Sequence, residues 1–342
     1  MKNARLMKWT DLLVAMGICV LIGTYALAQF ADSEEIANRV KCASNLRQIG
    51  QAMLLYSNDN RGTFPRTIYD PANPTPTWGT PYEGNQKLIE SVTDKTPANP
   101  FEGKKYDAMP RPNDVTAALW LLMRTEDITS EVFVCPSAGQ DKSVFGGGTR
   151  NAMNWTNFAG KAEIAAHLSY SLQNPYPTKD AVAKGWKFNN TLGPEVALAA
   201  DMNPGASALL KLTPASAPDA LRKGNSPNHN FDGQNVLYGD GHVSYESNPF
   251  VGMNRDNIYT YGNSGEDVKD KGGDGIVGSS AGPDDSVLLP TATDLGLLDD
   301  SGKLTELAQK MREQAGGEIK PATEQQQQAT RNAIQGNFSR MQ

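Results

Sequence analysis

Residues 39–65, RVKCASNLRQIGQAMLLYSNDNRGTFP, decide how this chain folds. Together with the residues just before them, they place Ile36, Val40, Ala43, Leu46, Ile49, Gly50, Met53 and Leu54 at three- and four-residue steps. That is the period of an amphipathic helix. Glu34, Glu35, Arg39, Lys41, Arg47 and Gln51 fall mostly on its other faces. Asn58, Asn60 and Gly62 then supply a stop, with Pro65 just beyond. The apolar stripe is a packing surface, so the pattern predicts a helix over 31–60 against which a sheet lies.

Upstream, LLVAMGICVLIGTYALAQF (residues 12–30) carries no charge over 19 residues. This is close to the roughly 20 needed to cross a bilayer as a helix. Lys2, Arg5 and Lys8 precede it, and a basic flank of this kind keeps the N-terminus in the cytoplasm and sends the rest out. A second reading fits the same residues. A basic start, an apolar run and Ala26-Leu27-Ala28 before Gln29 also satisfy the rule for a cleaved secretory signal. The amphipathic helix that follows favours an uncleaved anchor, and both routes export the head. Asp11, at the cytoplasmic edge, either reaches the interface or seeks a positive partner, because a carboxylate inside the bilayer is costly unless paired.

Downstream, residues 66–112 are rich in Pro, Asn, Thr and Gly and read as an irregular surface excursion. Asp114 to Thr125 reads as a short buried helix with Asp114 as its N-cap. Glu131 to Ser137 (EVFVCPS) reads as a β-branched strand halted by Pro136. Ala166–Leu172 and Val196–Asp201 read as two more strands. The strongest strand signal is NVLYGDGHVSYE (residues 235–246), where Gly239-Asp240-Gly241 forms a tight hairpin turn. Residues 262–286 read as loop. KLTELAQKMREQ (residues 303–314) can form a short amphipathic helix, and the Gln-rich end beyond it is solvated.

The order of these parts resembles a pilin-like (pseudopilin) subunit, with one N-terminal helix half in a membrane and half against a globular head. CASNLRQIG, YSNDNRGTFP, FVCPS and the His229 … Asp240-Gly241-His242-Val243 segment resemble the large prepilin-like family of planctomycete-type bacteria, known mainly as a domain of unknown function. The spacing from His229 to Asp240 is one residue longer than is usual there, which points to a bulge or longer loop. The resemblance implies an α+β fold whose long helix packs on an antiparallel sheet. It also implies that Asp11 serves assembly and that the partners are further copies or other pilin-like subunits, in a type II secretion or type IV pilus-like apparatus. The peptidase site of such proteins has Gly before the cut, whereas Leu6 and Met7 stand here. The resulting division is a basic start over 1–11, a membrane-spanning segment over 12–30, an extracytoplasmic head over 31–300 and a polar tail over 301–342. The expected location is the cytoplasmic membrane, crossed once.

Composition narrows the function. With 32 Gly and 21 Pro in 342 residues and 39% hydrophobic residues, the head is loop-rich rather than a helical bundle. A net charge of −6 with scattered basic residues lacks the electrostatic footprint of a nucleic-acid binder. Cys42 and Cys135 are the pair that could bridge outside the cytoplasm, since Cys19 lies in the apolar run. No nucleophile elbow, phosphate loop, zinc-protease helix or Rossmann glycine pattern is present, so a non-enzymatic role is expected.

Three constellations remain as candidates. His229, Asp240 and His242 are a legitimate ligand set for zinc or iron and the natural centre of a hydrolase, although a structural hairpin explains them as well. Asp267, Asp270 and Asp274 on a Gly-rich loop suit calcium, which some pseudopilins hold in a C-terminal loop, but they miss the EF-hand pattern. Trp78, Trp155 and Trp186 could line a glycan- or solute-binding surface in a tethered or secreted binding module.

Overall fold

The computed structural model describes residues 9–79, 101, 110–145, 152, 155–262 and 273–314. Before Ser33 it describes side chains only at Trp9, Leu13, Val14, Met16, Ile18 and Cys19. The chain is α+β. A single helix, α1 (Trp9–Asp59), runs to the predicted stop, where Arg61 and Gly62 take left-handed φ values of 55° and 81°. There the Gly62 N–H returns to the Ser57 carbonyl at 2.8 Å. The described side chains of its early part, Trp9, Leu13, Val14, Met16 and Ile18, are exposed. From Glu35 onward one face is buried. Among the described residues no helix is long and apolar enough to cross a membrane.

Helices α2 (Ala117–Thr125), α3 (Lys161–His167), α4 (Lys179–Ala183), α5 (Pro218–Arg222) and α6 (Glu306–Gln314) are short. Strands β1 (Tyr170–Gln173), β2 (Ala197–Asp201), β3 (Gln234–Tyr238), β4 (Val243–Glu246) and β5 (Leu288–Leu289) form one antiparallel sheet in the order β4-β3-β2-β1-β5. One face packs on α1 through Cys42, Leu46, Ile49 and Met53 against Leu172, Leu198, Leu237 and Val243. Gly50 permits the close approach, because a Cβ there would stand 2.7 Å from Leu237 Cδ1. The other face, with Ala200, Val236, Tyr238 and Leu288, is covered by Leu209, Leu212, Phe250, Ile258 and Tyr259. Burial on both faces leaves β2 and β3 without polar–apolar alternation, as is usual for covered strands.

The 235–246 hairpin is present with its turn at the expected glycines, and Asn235 pairs opposite Tyr245 and Leu237 opposite Val243. Its two glycines serve different needs. Gly241 takes a φ of 87°, whereas Gly239 is small because a Cβ would lie 2.7 Å from the Gly193 carbonyl oxygen. Asp114 does accept the first N–H groups of the α2 turn, from Thr116 and Ala117 at 3.0 Å each, from a position just ahead of the helix.

Two expected strands differ. Residues 131–137 are not a strand but two 3-10 turns, Ser130–Phe133 and Pro136–Ala138, joined by extended Val134 and Cys135. Pro136 removes the donor that pairing needs. Residues 166–169 precede β1 instead of opening it, because α3 buries Ile164 and Ala165 and carries the helix to His167. The amphipathic segment after Ser301 is helical as α6. It docks on the head, with Ala308 and Arg312 buried and the Arg312 guanidinium donating to the Pro227 carbonyl and, at 3.2 Å, to Asn230 Oδ1. Residues 315–342 lie outside the described part.

Candidate functional site

Where α1 first meets the head, its buried face changes from apolar to charged. Glu35, Arg39, Cys42 and Leu46 succeed one another at helical spacing, so all four side chains point into the protein. Glu35 Oε1 accepts from Arg39 Nε at 2.9 Å and from His229 Nδ1 at 2.7 Å, and Oε2 accepts from Ser137 Oγ at 2.7 Å. Arg39, with no exposed surface, also donates through Nη2 to Asp232 Oδ2 at 3.1 Å. Its guanidinium lies 4.8 Å from the Tyr245 ring centre. Arg222 closes the far side of Asp232 at 2.6 Å.

His229 is the centre of this network. It ends a 3-10 turn, Pro227–His229, that Ser226 caps by accepting from Asn228 N. The side chain is fully buried. Because Glu35 can only accept, Nδ1 carries a proton. Nε2 faces Asp201 Oδ2 at 3.3 Å and Cys135 Sγ at 3.6 Å. Asp201, at the end of β2, is itself held. Its Oδ1 accepts from Asn228 Nδ2 at 3.0 Å, and its Oδ2 accepts from Asn235 N at 2.6 Å and Nδ2 at 3.1 Å.

Burial alone would push His229 towards neutrality, but the Asp201 and Glu35 carboxylates outweigh it and raise its pKa to about 9. For Glu35, burial works upward, while His229, the Ser137 hydroxyl and Arg39 bring the pKa down to about 2. The imidazole is therefore charged at neutral pH and bridges two carboxylates. Taking one partner from a buried ion pair typically costs about 3–5 kcal/mol.

Cys42 and Cys135 are joined as a disulfide between α1 and the 3-10 turns, with Cα atoms 5.2 Å apart and a sequence separation of 93. A loop of that length contributes about 4–5 kcal/mol in the chain-entropy account. Among the described residues, Cys42, Cys135, Asp201 and His229 are the one set of three or more His, Cys, Asp or Glu side chains close enough to hold a metal. Their ligand atoms all lie within 4.8 Å of one another.

The sequence candidates separate in space. His229 sits in the core, whereas Asp240 and His242 occupy the hairpin turn. There His242 Nδ1 is 2.5 Å from Asp240 Oδ1, and its ring stacks on Tyr238 with centroids 4.5 Å apart. The trio does not converge, because the hairpin directs its turn away from the 3-10 segment that carries His229. Asp267 and Asp270 lie outside the described residues, and Asp274 packs its carboxylate against Gly262. Asp11 falls within α1, but its side chain lies outside the described residues.

The three tryptophans have separate packing partners. Trp78 is buried with Nε1 donating to Asp294 at 2.8 Å, Trp155 packs beside Trp120 and Phe145, and Trp186 stacks on Phe188. Glu35, Arg39, Ser137, Asp201 and Asp232 are the members that sequence reading missed. Their one local signal is the i,i+4 spacing of Glu35 and Arg39 in line with Cys42 on a face assigned to packing.

Residues 34–191 match the model of a family described as protein of unknown function, DUF1559 (SBP_bac_10). The matched stretch contains Glu35, Arg39, Cys42, Cys135 and Ser137 and ends before β2. No curated protein and no solved structure gives a significant match.

Proposed function

We propose that this protein is a non-enzymatic, pilin-like subunit. In this reading the first part of α1 anchors it in the cytoplasmic membrane, and its head lies outside, in the periplasm or beyond. The helix also mediates assembly with further copies or with other pilin-like subunits. The observation that carries the reading is the division of labour along α1. Its later half forms the spine of the head, while Trp9, Leu13, Val14, Met16 and Ile18 of its early half are exposed apolar side chains on a helix that extends from the same head. Exposed apolar surface of this kind marks a contact with lipid or with another protein. The uncharged run over residues 12–30 supplies the length for lipid.

Within this reading the Glu35–His229–Asp201 network fastens the spine to the head. Its carboxylates are met by Arg39, His229 and Arg222 from within the head. Fractionation of cells expressing the full chain tests the anchor, with a C-terminal reporter active only in the cytoplasm. The reading expects the chain in the membrane fraction after alkaline washing, with a silent reporter. A chain released by the wash, or an active reporter, would overturn it.

A further inference from the structure

We propose that, while Cys42 and Cys135 are thiols, they form with Asp201 and His229 a buried four-ligand site for a zinc-class divalent ion. Two sulfurs, an imidazole nitrogen and a carboxylate oxygen are a donor set suited to zinc. All four ligand atoms already lie within 4.8 Å of one another. Zinc–sulfur bonds of about 2.3 Å in a tetrahedron set the two sulfurs about 3.8 Å apart, a separation reached by side-chain rotation once they are no longer bonded.

The surroundings are built as the outer shell of a metal site is built. Glu35 Oε1 accepts from His229 Nδ1 at 2.7 Å, which fixes the ring and leaves Nε2 as the donor atom. That nitrogen is the one that faces Asp201 at 3.3 Å and Cys135 at 3.6 Å. A carboxylate on the far nitrogen of a ligating histidine is the usual orienting contact. Asp201 is gripped by Asn228 and by both nitrogens of Asn235, and the Cys135 N–H is tied to Ser169 Oγ at 2.8 Å. Each ligand comes from a different packed segment: the middle of α1, the 3-10 turns, the end of β2 and the Pro227–His229 turn.

Metal and disulfide exclude each other. When a small-molecule disulfide oxidises the two thiolates, it accepts their two electrons and is released as two thiols after taking up two protons. The Cys42–Cys135 bond forms, the ion leaves, and Nε2 takes up a proton and turns to Asp201. Because the four residues are fully buried, the ion enters as the reduced chain folds.

The test uses the full-length chain in mild detergent, unfolded with a phosphine reductant and refolded with one equivalent of Co²⁺ or Zn²⁺. The proposal expects one ion per folded chain. Cobalt should show a thiolate charge-transfer band and tetrahedral d–d bands, and a loaded chain that is unfolded, freed of phosphine and refolded with an oxidised small thiol should retain no ion. Glu35→Gln, which removes the orienting carboxylate, should weaken cobalt binding about 10–100-fold while leaving the band in place at higher cobalt. A reduced chain that folds without taking up the ion would overturn the site. So would one that fails to fold with zinc present, one whose bound cobalt lacks the thiolate band, or one that still holds metal after refolding with the Cys42–Cys135 disulfide formed.

Discussion

The guanidinium of Arg39 is held with no exposed surface between Glu35 and Asp232, and its Nε and Nη2 serve one carboxylate each. This geometry needs a fork of donors, which lysine lacks. Arg39→Met should destabilise the head by about 3–5 kcal/mol, the typical cost of breaking a buried pair. Arg39→Lys should recover only part of that loss, and denaturant unfolding followed by circular dichroism reads both.

A second group of buried charges acts the other way. Asp256 and Asp285 are buried, with Asp256 Oδ1 and Asp285 Oδ1 lacking a hydrogen-bond partner. Burial, reinforced by neighbouring carboxylates, raises the pKa of Asp256 well above its ordinary value and that of Asp285 to about 7. A raised carboxylate favours the fold while protonated. Its contribution is therefore whole below the unfolded pKa of about 4 and is lost as pH climbs through the folded value. Melting temperature should fall between about pH 4 and 7, and Asp285→Asn should flatten that slope. An unchanged slope in the variant would show that other groups set it.

At the scale of elements, the turn of the β3–β4 hairpin offers a sharp distinction. Gly239→Ala would press a methyl group against the Gly193 backbone, which cannot give way as a side-chain end can. Overpacking of this kind costs about 1–3 kcal/mol. Gly50→Ala meets only the tip of Leu237 and should cost less, a ranking that thermal melts can check. The spine helix and this hairpin were legible in the sequence because each carries its own local signal, a helical period in one and Gly-Asp-Gly between β runs in the other. β5 was not, since two residues of Leu288-Leu289 have no period. Residues 131–137 misled because β-branched composition ignores the missing donor of Pro136. The polar site was hidden for a different reason. Its members come from positions 35, 39, 135, 137, 201, 229 and 232, and only the folded topology brings them together. Two neighbouring positions in that set, Glu35 and Arg39, were even placed on the wrong faces by the assumption that charge means solvent.

For the whole molecule, the head is stapled to the later half of α1, and in the proposed reading the early half contacts lipid and neighbours. The disulfide and the Glu35–His229–Asp201 network both lie where the helix enters the head, so a pull on the helix is resisted at its point of entry. A carboxylate such as Asp11, at the start of an apolar helix, gains nothing from lipid and becomes favourable when a neighbouring cation meets it. The most direct test places a photo-activated cross-linking residue at Leu13 or Ile18, both exposed on α1, in membranes carrying the otherwise native chain. The account predicts a ladder of cross-linked oligomers that is lost in Asp11→Ala while the head keeps its melting temperature. A chain that stays monomeric on illumination, or an equal ladder in the variant, would contradict it.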